Sequence, residues 1–200
     1  MTTLFVRTLE TPAVAPAGGE AEAIADAPAD RFGAAETAFI AERDSFYLAS
    51  VSATGWPYLQ HRGGPTGFLR VLDDRTVGFA DFRGNQQYLT LGNVGGDDRV
   101  ALFLMDYPRR RRLKILARMS AHDLRAEPDL AARLATPGYR GLVERGFVLK
   151  LHAFDWNCPQ HITPRFTAAD VEAAVAPLHA RLEALEAENA RLRGERASGA

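Results

Sequence analysis

The sequence predicts a mainly β protein of the α+β kind: a small six-stranded antiparallel barrel with short flanking helices and a heptad helix at its C-terminus. Three observations carry that prediction. From Phe46 onward, short runs of β-branched and aromatic residues recur between Gly, Asp and Pro turn signals. Few helical stretches separate them, and closing antiparallel strands into a barrel removes the edges that an open sheet would expose. After Thr167 the apolar spacing changes to alternating fours and threes.

Taken in order, residues 1–32 read as a flexible N-terminal arm. TPAVAPAGGEAEAIADAPAD, residues 11–30, has too few large apolar side chains to offset the entropy of ordering. Folded sequence is expected from Gly33, with Ala38, Phe39 and Ile40 in a short amphipathic helix. SFYLASVS and WPYLQHR form a hairpin around Ala53-Thr54-Gly55, and GFLRVL and TVGFADF a second one around Asp73-Asp74. NQQYLTLGNV, residues 85–94, reads as one short helix stopped by Gly95-Gly96. RVALFLMDY and RRLKILARMSAHD restore strands across a turn at Tyr107-Pro108. A helix over about Pro128 to Arg145 precedes the last strand, GFVLKLHAFDW, and residues 33–166 form one domain. In residues 167–200, Thr167 and Asp170 make a loose capping box. Val171, Val175, Leu178, Leu182, Leu185, Asn189 and Leu192 then form a heptad seam.

Composition bounds the partners. A net charge of -1 gives no generally cationic surface for nucleic acid or anionic membranes, so a small-molecule substrate or a protein partner is expected. One cysteine, Cys158, can form neither an internal disulfide nor a cysteine-based zinc site, which fits a reducing compartment. There is no apolar run of about 18 residues to cross a bilayer and no signal-peptide pattern at MTTLFVRTLE, so the expected location is the cytoplasm. The five histidines show no metal-ligand spacing, and no metal is expected.

Three stretches are candidates for the site. HRGGP puts His61 and Arg62 beside Gly63, which allows close backbone approach to an anion while Arg62 donates charged hydrogen bonds; an ordinary surface turn is the competing reading. FADFRGNQQY runs from a strand through Arg83 into a helix whose first turn would hold Asn85, Gln86 and Gln87, an arrangement suited to phosphate. In RRRRLK, strand alternation sends Arg110, Arg112 and Lys114 to one side and Arg109, Arg111 and Leu113 to the other. In WNCPQH, Cys158 would need a nearby positive group to become a nucleophile, and a lone Cys often packs as a small hydrophobe.

The order of FYLASVSATGWPYLQHR, FADFRGNQQYLTLGN and DRVALFLMDYPRRRRLKILAR resembles the pyridoxamine 5'-phosphate oxidase-like flavoproteins over roughly residues 34–166. The WNCPQHITPR segment resembles functionally undefined members of that family. The resemblance implies an FMN-binding split barrel, a homodimer with two FMN sites at the subunit interface, and oxidoreductase activity on an unknown small molecule with NADH or NADPH as a candidate donor. It implies that the strand ending in Gln60, His61 and Arg62 flanks the flavin, and that Asp81, Phe82, Asn85, Gln86 and Gln87 meet its ring edge and phosphate. The family more often has a basic pair at Gln86 and Gln87, so Arg62, Arg83 or the arginine run would have to meet the phosphate charge. Arg112 falls near a polar flavin contact, and Trp156 matches an aromatic that reaches the cofactor, with Asn157, Gln160 and His161 offering hydrogen bonds around it. True oxidases of this kind follow that Trp with an Arg-Leu-His-x-Arg run; here Ile162, Thr163, Pro164 and Arg165 stand instead, and the chain is expected not to be a true pyridoxamine-phosphate oxidase. The catalytic residues are left unassigned. Two alternatives stay open: a non-catalytic protein that binds or senses flavin, haem or a related cofactor, and a dimeric interaction protein that works through its C-terminal helix.

Overall fold

The computed structural model describes Phe5, Leu9 and residues 29–156 and 159–198. Most of the expected arm, together with Asn157 and Cys158, lies outside the described residues. The chain divides into two compact units, Met1–Asp106 with Arg110–Gln160, and Tyr107–Arg109 with His161–Ala200.

The first unit is built on one antiparallel sheet: β1 (Ser45–Val51), β2 (Pro57–Gly63), β3 (Arg70–Asp73), β4 (Thr76–Phe82), β5 (Arg99–Asp106), β6 (Arg111–His122) and β7 (Val143–Trp156). Their order is β2-β1-β5-β6-β7-β4-β3. The mainly β split-barrel class holds, with two differences from the expected closed, six-stranded barrel. There are seven strands, and β2 and β3 are edges rather than partners. The chain between them explains the opening: the Gly64 and Gly67 amides donate to the carbonyls of Asp44 and Arg43 at 2.9 and 2.8 Å, so this connection is tied to the start of β1 and not to a ladder.

The concave face buries a run of aromatics. Phe46 stacks on Phe68 with ring centres 5.5 Å apart, and Phe79 meets Phe46 edge-on at 5.3 Å and lies tilted against Phe147 at 5.4 Å. Leu48, Leu102, Leu104, Leu113, Ile115 and Leu149 complete this core. Helix α1 (Ala34–Ala41) buries Glu36, Phe39 and Ile40, whereas Ala38 faces out. The buried positions recur at helical spacing, and Arg43 continues the face by donating to the Phe39 and Met105 carbonyls. Packing reaches upstream of Gly33, because Phe32 is buried and stacks on Phe154.

Helix α2 (Leu89–Gly96) starts later than expected, at Leu89. Gln86 and Tyr88 have φ of 60° and 52°, left-handed values that an α-helix excludes, so residues 85–88 form a bend instead of a first turn. Thr90 donates to Gln60 Oε1 at 2.8 Å and Asn93 to Ser50 Oγ at 2.9 Å, which seats α2 on the β1–β2 hairpin. Helix α3 is also shorter than expected, Pro128–Leu134. Pro137 and Gly138, with φ +80°, end any helical continuation, and β7 takes up residues 143–145. In the arginine run, residues 107–110 form a turn with Arg110 at φ 52°, so strand alternation begins only at Arg111.

The second unit contains α4 (Ala168–Ser198). Its start is a true capping box: Asp170 accepts from the Thr167 amide and hydroxyl at 2.8 and 2.7 Å, while the Asp170 amide donates back to Thr167 Oγ1 at 3.1 Å. No helix among the described residues is long and apolar enough to cross a membrane.

Candidate functional site

Two rungs at one end of the sheet define the site. On β4 and β7, Phe79 lies opposite Phe147, and on the next inward-facing rung Asp81 lies opposite Arg145. The core thus passes from aromatic to ionic within one side-chain period. Arg62, from β2, bridges the two levels: its guanidinium carbon is 5.9 and 5.7 Å from the ring centres of Phe79 and Phe147, and its Nη1 donates to Asp81 Oδ1 at 2.6 Å. Arg145 approaches the other carboxylate oxygen of Asp81 at 3.6 Å.

The β4–β7 register slips between Asp81 and Phe82, where Phe82 pairs with Val143 and leaves Glu144 as an extra residue on β7. Such a bulge re-aims a side chain that regular pleating would send elsewhere. Glu144 Oε1 accepts from Arg83 Nε at 2.9 Å and from the Tyr88 hydroxyl at 3.0 Å. Arg145 completes the group, its guanidinium carbon 4.7 Å from the centre of the Tyr88 ring.

These side chains border a cavity of about 240 Å³ lined by Gln60, Arg62, Asp81, Phe82, Asn85, Gln86, Tyr88 and Glu144, among others. A larger cavity, about 710 Å³, opens beside it around Arg83, Leu134, Leu142 and Arg145. The smaller one is the better candidate, because of the two it alone holds Arg62 and Asp81, the shortest ion pair of the cluster; Glu144 lines both cavities, and Arg83 and Arg145 line the larger. Three guanidiniums, from Arg62, Arg83 and Arg145, face two carboxylates, from Asp81 and Glu144, leaving an excess of one positive charge. Arg62 Nε and Arg145 Nη1 are buried with no hydrogen-bond partner among the described residues. Buried donors of this kind are costly unless a ligand or water meets them. Burial pushes the Asp81 carboxyl above its ordinary value, with Arg62 and then Arg145 pulling it back. The hydrogen bond from Arg83 holds Glu144 below its ordinary value.

The sequence candidates separate on this frame. Gln60, Arg62, Asp81, Phe82, Asn85 and Gln86 share the cavity. Arg83 adjoins it through Glu144, and Gln87 is exposed, its amide donating to Asn85 Oδ1 at 3.2 Å. Because α2 starts at Leu89, Asn85, Gln86 and Gln87 do not form the helix N-terminus expected to suit a phosphate; they lie in the bend before it. Gly63 ends β2, while His61 points to the opposite, convex face and meets Tyr47 edge-on at 5.6 Å. Arg112 is on that convex face too, over Phe103 at 5.6 Å. Trp156 is engaged elsewhere: its indole N–H donates to Glu36 at 2.8 Å, and its ring packs on Phe39 and under Arg111. His161 is exposed in the second unit with φ 62°. Asn157 lies outside the described residues. Tyr88, Glu144 and Arg145 were not singled out from the sequence. The charged pair next to the strand run GFVLKL was the available signal, and the long helix expected over 128–145 hid it.

A sequence model described as pyridoxamine 5'-phosphate oxidase matches residues 32–145. The chain belongs to this family. The match contains the whole ion cluster and stops before Trp156 and the segment that follows it. Among solved structures, HupZ of Group A Streptococcus is 14% identical, with a TM-score of 0.49 over 68% of this chain and 100% of its own. A pyridoxamine 5'-phosphate oxidase candidate from Lactobacillus delbrueckii is 20% identical, with a TM-score of 0.47 over 62% of this chain and 93% of its own. An FMN-binding protein from Syntrophomonas wolfei is 15% identical, with a TM-score of 0.46 over 61% and 83%. No curated protein matches. Among the described residues, no group of three or more His, Cys, Asp or Glu side chains could hold a metal.

Proposed function

We propose that this family member binds FMN without a covalent bond, as a homodimer, and acts as an oxidoreductase on a small molecule, with NADH or NADPH as electron donor. One observation carries the reading: a cationic cluster floored by aromatic rings, in which Arg62 Nε and Arg145 Nη1 are buried without hydrogen-bond partners among the described residues. A phosphate monoester carries a charge of about -1.5 to -2 at neutral pH and offers three acceptor oxygens. Arg62 and Arg145 would hold that group, and Arg83 would add charge from the rim. Asn85 and Gln86 offer amide hydrogen bonds to the polar part of the ligand, and Phe82 and Tyr88 offer apolar surface. Bound FMN would supply hydride chemistry, while the protein positions the substrate and excludes water.

Size and surface support the dimer. A cavity of about 240 Å³ falls below the roughly 300–1,000 Å³ of small-molecule sites, which fits a site that a second copy helps to enclose. The convex face of β2, β1 and β5 offers the apolar area for it: Tyr47 and Leu59 are exposed, and Phe103 and Met105 half-buried. His61 and Arg112 lie on that face, so their contribution would be made to a site shared between copies.

The test begins with the absorbance spectrum of the purified protein and the mass of any ligand it releases, where a flavin band and FMN are expected. Titration of FMN into stripped protein should then show Arg62→Ala binding about tenfold or more weakly, since a charged hydrogen bond is worth about 1.5–3 kcal/mol. Glu20→Ala, outside the described residues and the cavity lining, should change nothing. Unchanged affinity in Arg62→Ala removes that residue from the site, and a wild-type protein that binds no flavin overturns the reading. Anaerobic reduction by NADH or NADPH distinguishes turnover from storage.

A further inference from the structure

We propose that α4 forms a parallel, in-register, two-stranded coiled coil with the α4 of a second copy. The helix runs 31 residues, and its apolar seam is exposed: Val171 50%, Leu178 67%, Leu182 55%, Leu185 44% and Leu192 46%. In heptad terms Val175, Leu182 and Asn189 occupy a, and Val171, Leu178, Leu185 and Leu192 occupy d. The seam therefore spans three heptads, about 33 Å at 1.5 Å per residue.

The flanking charges select the occupant. Arg181 and Glu188 fall at g, Glu186 and Arg193 at e. A parallel pair with identical register places Arg181 against the partner's Glu186, and Glu188 against the partner's Arg193, each twice by symmetry. Both contacts are attractive, so the helix is complementary to itself. Asn189 fixes the direction. In a parallel pair it meets its own copy and the two amides hydrogen-bond, whereas an antiparallel pair would set it against a leucine at d and bury it unpaired. Pro177, inside the helix, takes a c position facing outward. Proline bends a helix away from its own side, so the bend is convex to solvent and closes the seam toward the partner.

The inference does not depend on the ligand, and its test reads helix geometry alone. In full-length protein with Cys158→Ser, single cysteines are placed at d by Leu178→Cys or Leu192→Cys, and at the outward f position by Ala180→Cys. Mild oxidation should link both d-position variants into dimers on a non-reducing gel and leave Ala180→Cys monomeric. Failure of either d variant, or equal linking of Ala180→Cys, overturns the parallel register. Independently, Arg181→Glu should raise the dimer dissociation constant roughly tenfold, and Arg181→Glu with Glu186→Arg should restore it. An unchanged constant in Arg181→Glu, or no restoration in the double variant, also overturns the register.

Discussion

Asp81 poses a physical contest within one side chain. Burial favours its neutral form, and the guanidinium of Arg62 at 2.6 Å favours its charged form. Burial prevails, with Glu144 adding to it, so the carboxyl titrates above its ordinary value. A carboxyl whose folded-state pKa is raised contributes stability that is fully present below its unfolded value and is lost as pH rises through the folded value. Asp81→Asn removes that titration, along with an ion pair whose loss adds an offset. The difference in melting temperature should therefore shift in favour of Asp81→Asn as pH rises from about 4 to about 7, whatever that offset is. Thermal unfolding of ligand-free protein across this range checks it. A shift the other way would mean that Arg62 wins the contest and Asp81 is an ordinary charged partner.

Connections decide how the elements meet, and Gly67 is the connection under most constraint. It has φ +75°, and a Cβ there would stand 2.9 Å from the Ala41 carbonyl oxygen, while its amide donates to Arg43. Gly67→Ala should cost about 1–3 kcal/mol of unfolding free energy, measurable by urea denaturation. It would act by pushing α1 away from the turn that carries Phe68 into the core. Most elements were legible in the sequence, because β1, β2, β4, β5 and β6 each have one face that repeats with period two or a compact apolar run. The starts and ends of the short helices were not. Gln86 and Tyr88 hold left-handed angles that non-glycine residues rarely adopt, and nothing in NQQY announces that. The Glu144 bulge was equally hidden, since a register slip depends on the partner strand and leaves no local signal.

For the whole molecule, belonging to the pyridoxamine 5'-phosphate oxidase family does not fix the substrate, because one fold hosts many chemistries. The matched region ends at residue 145, and after Trp156 the chain reads Ile162, Thr163, Pro164 and Arg165 where a substrate clamp is expected. Misplacing a reacting group by about 1 Å costs on the order of a hundredfold in rate. In an anaerobic half-reaction, pyridoxamine 5'-phosphate should therefore bleach little flavin under conditions where a nicotinamide donor reduces it; rapid, saturable bleaching at micromolar concentration would contradict this. Half of the candidate site was visible in the sequence, in Arg62 and the Asp81 to Gln86 stretch. The other half comes from β7, and only the fold brings it near. Arg83 and Glu144 are 61 residues apart in the chain. During synthesis, a chain that has emerged only through α3 carries Arg62 and Asp81 with neither Glu144 nor Arg145, and its β4 has an unpaired edge on the side that β7 will cover. Long-range pairing of this kind forms slowly. The candidate site is thus among the later parts of the sheet to come into being, and until β7 is in place both β4 and β6 keep an open edge that another nascent chain could pair with.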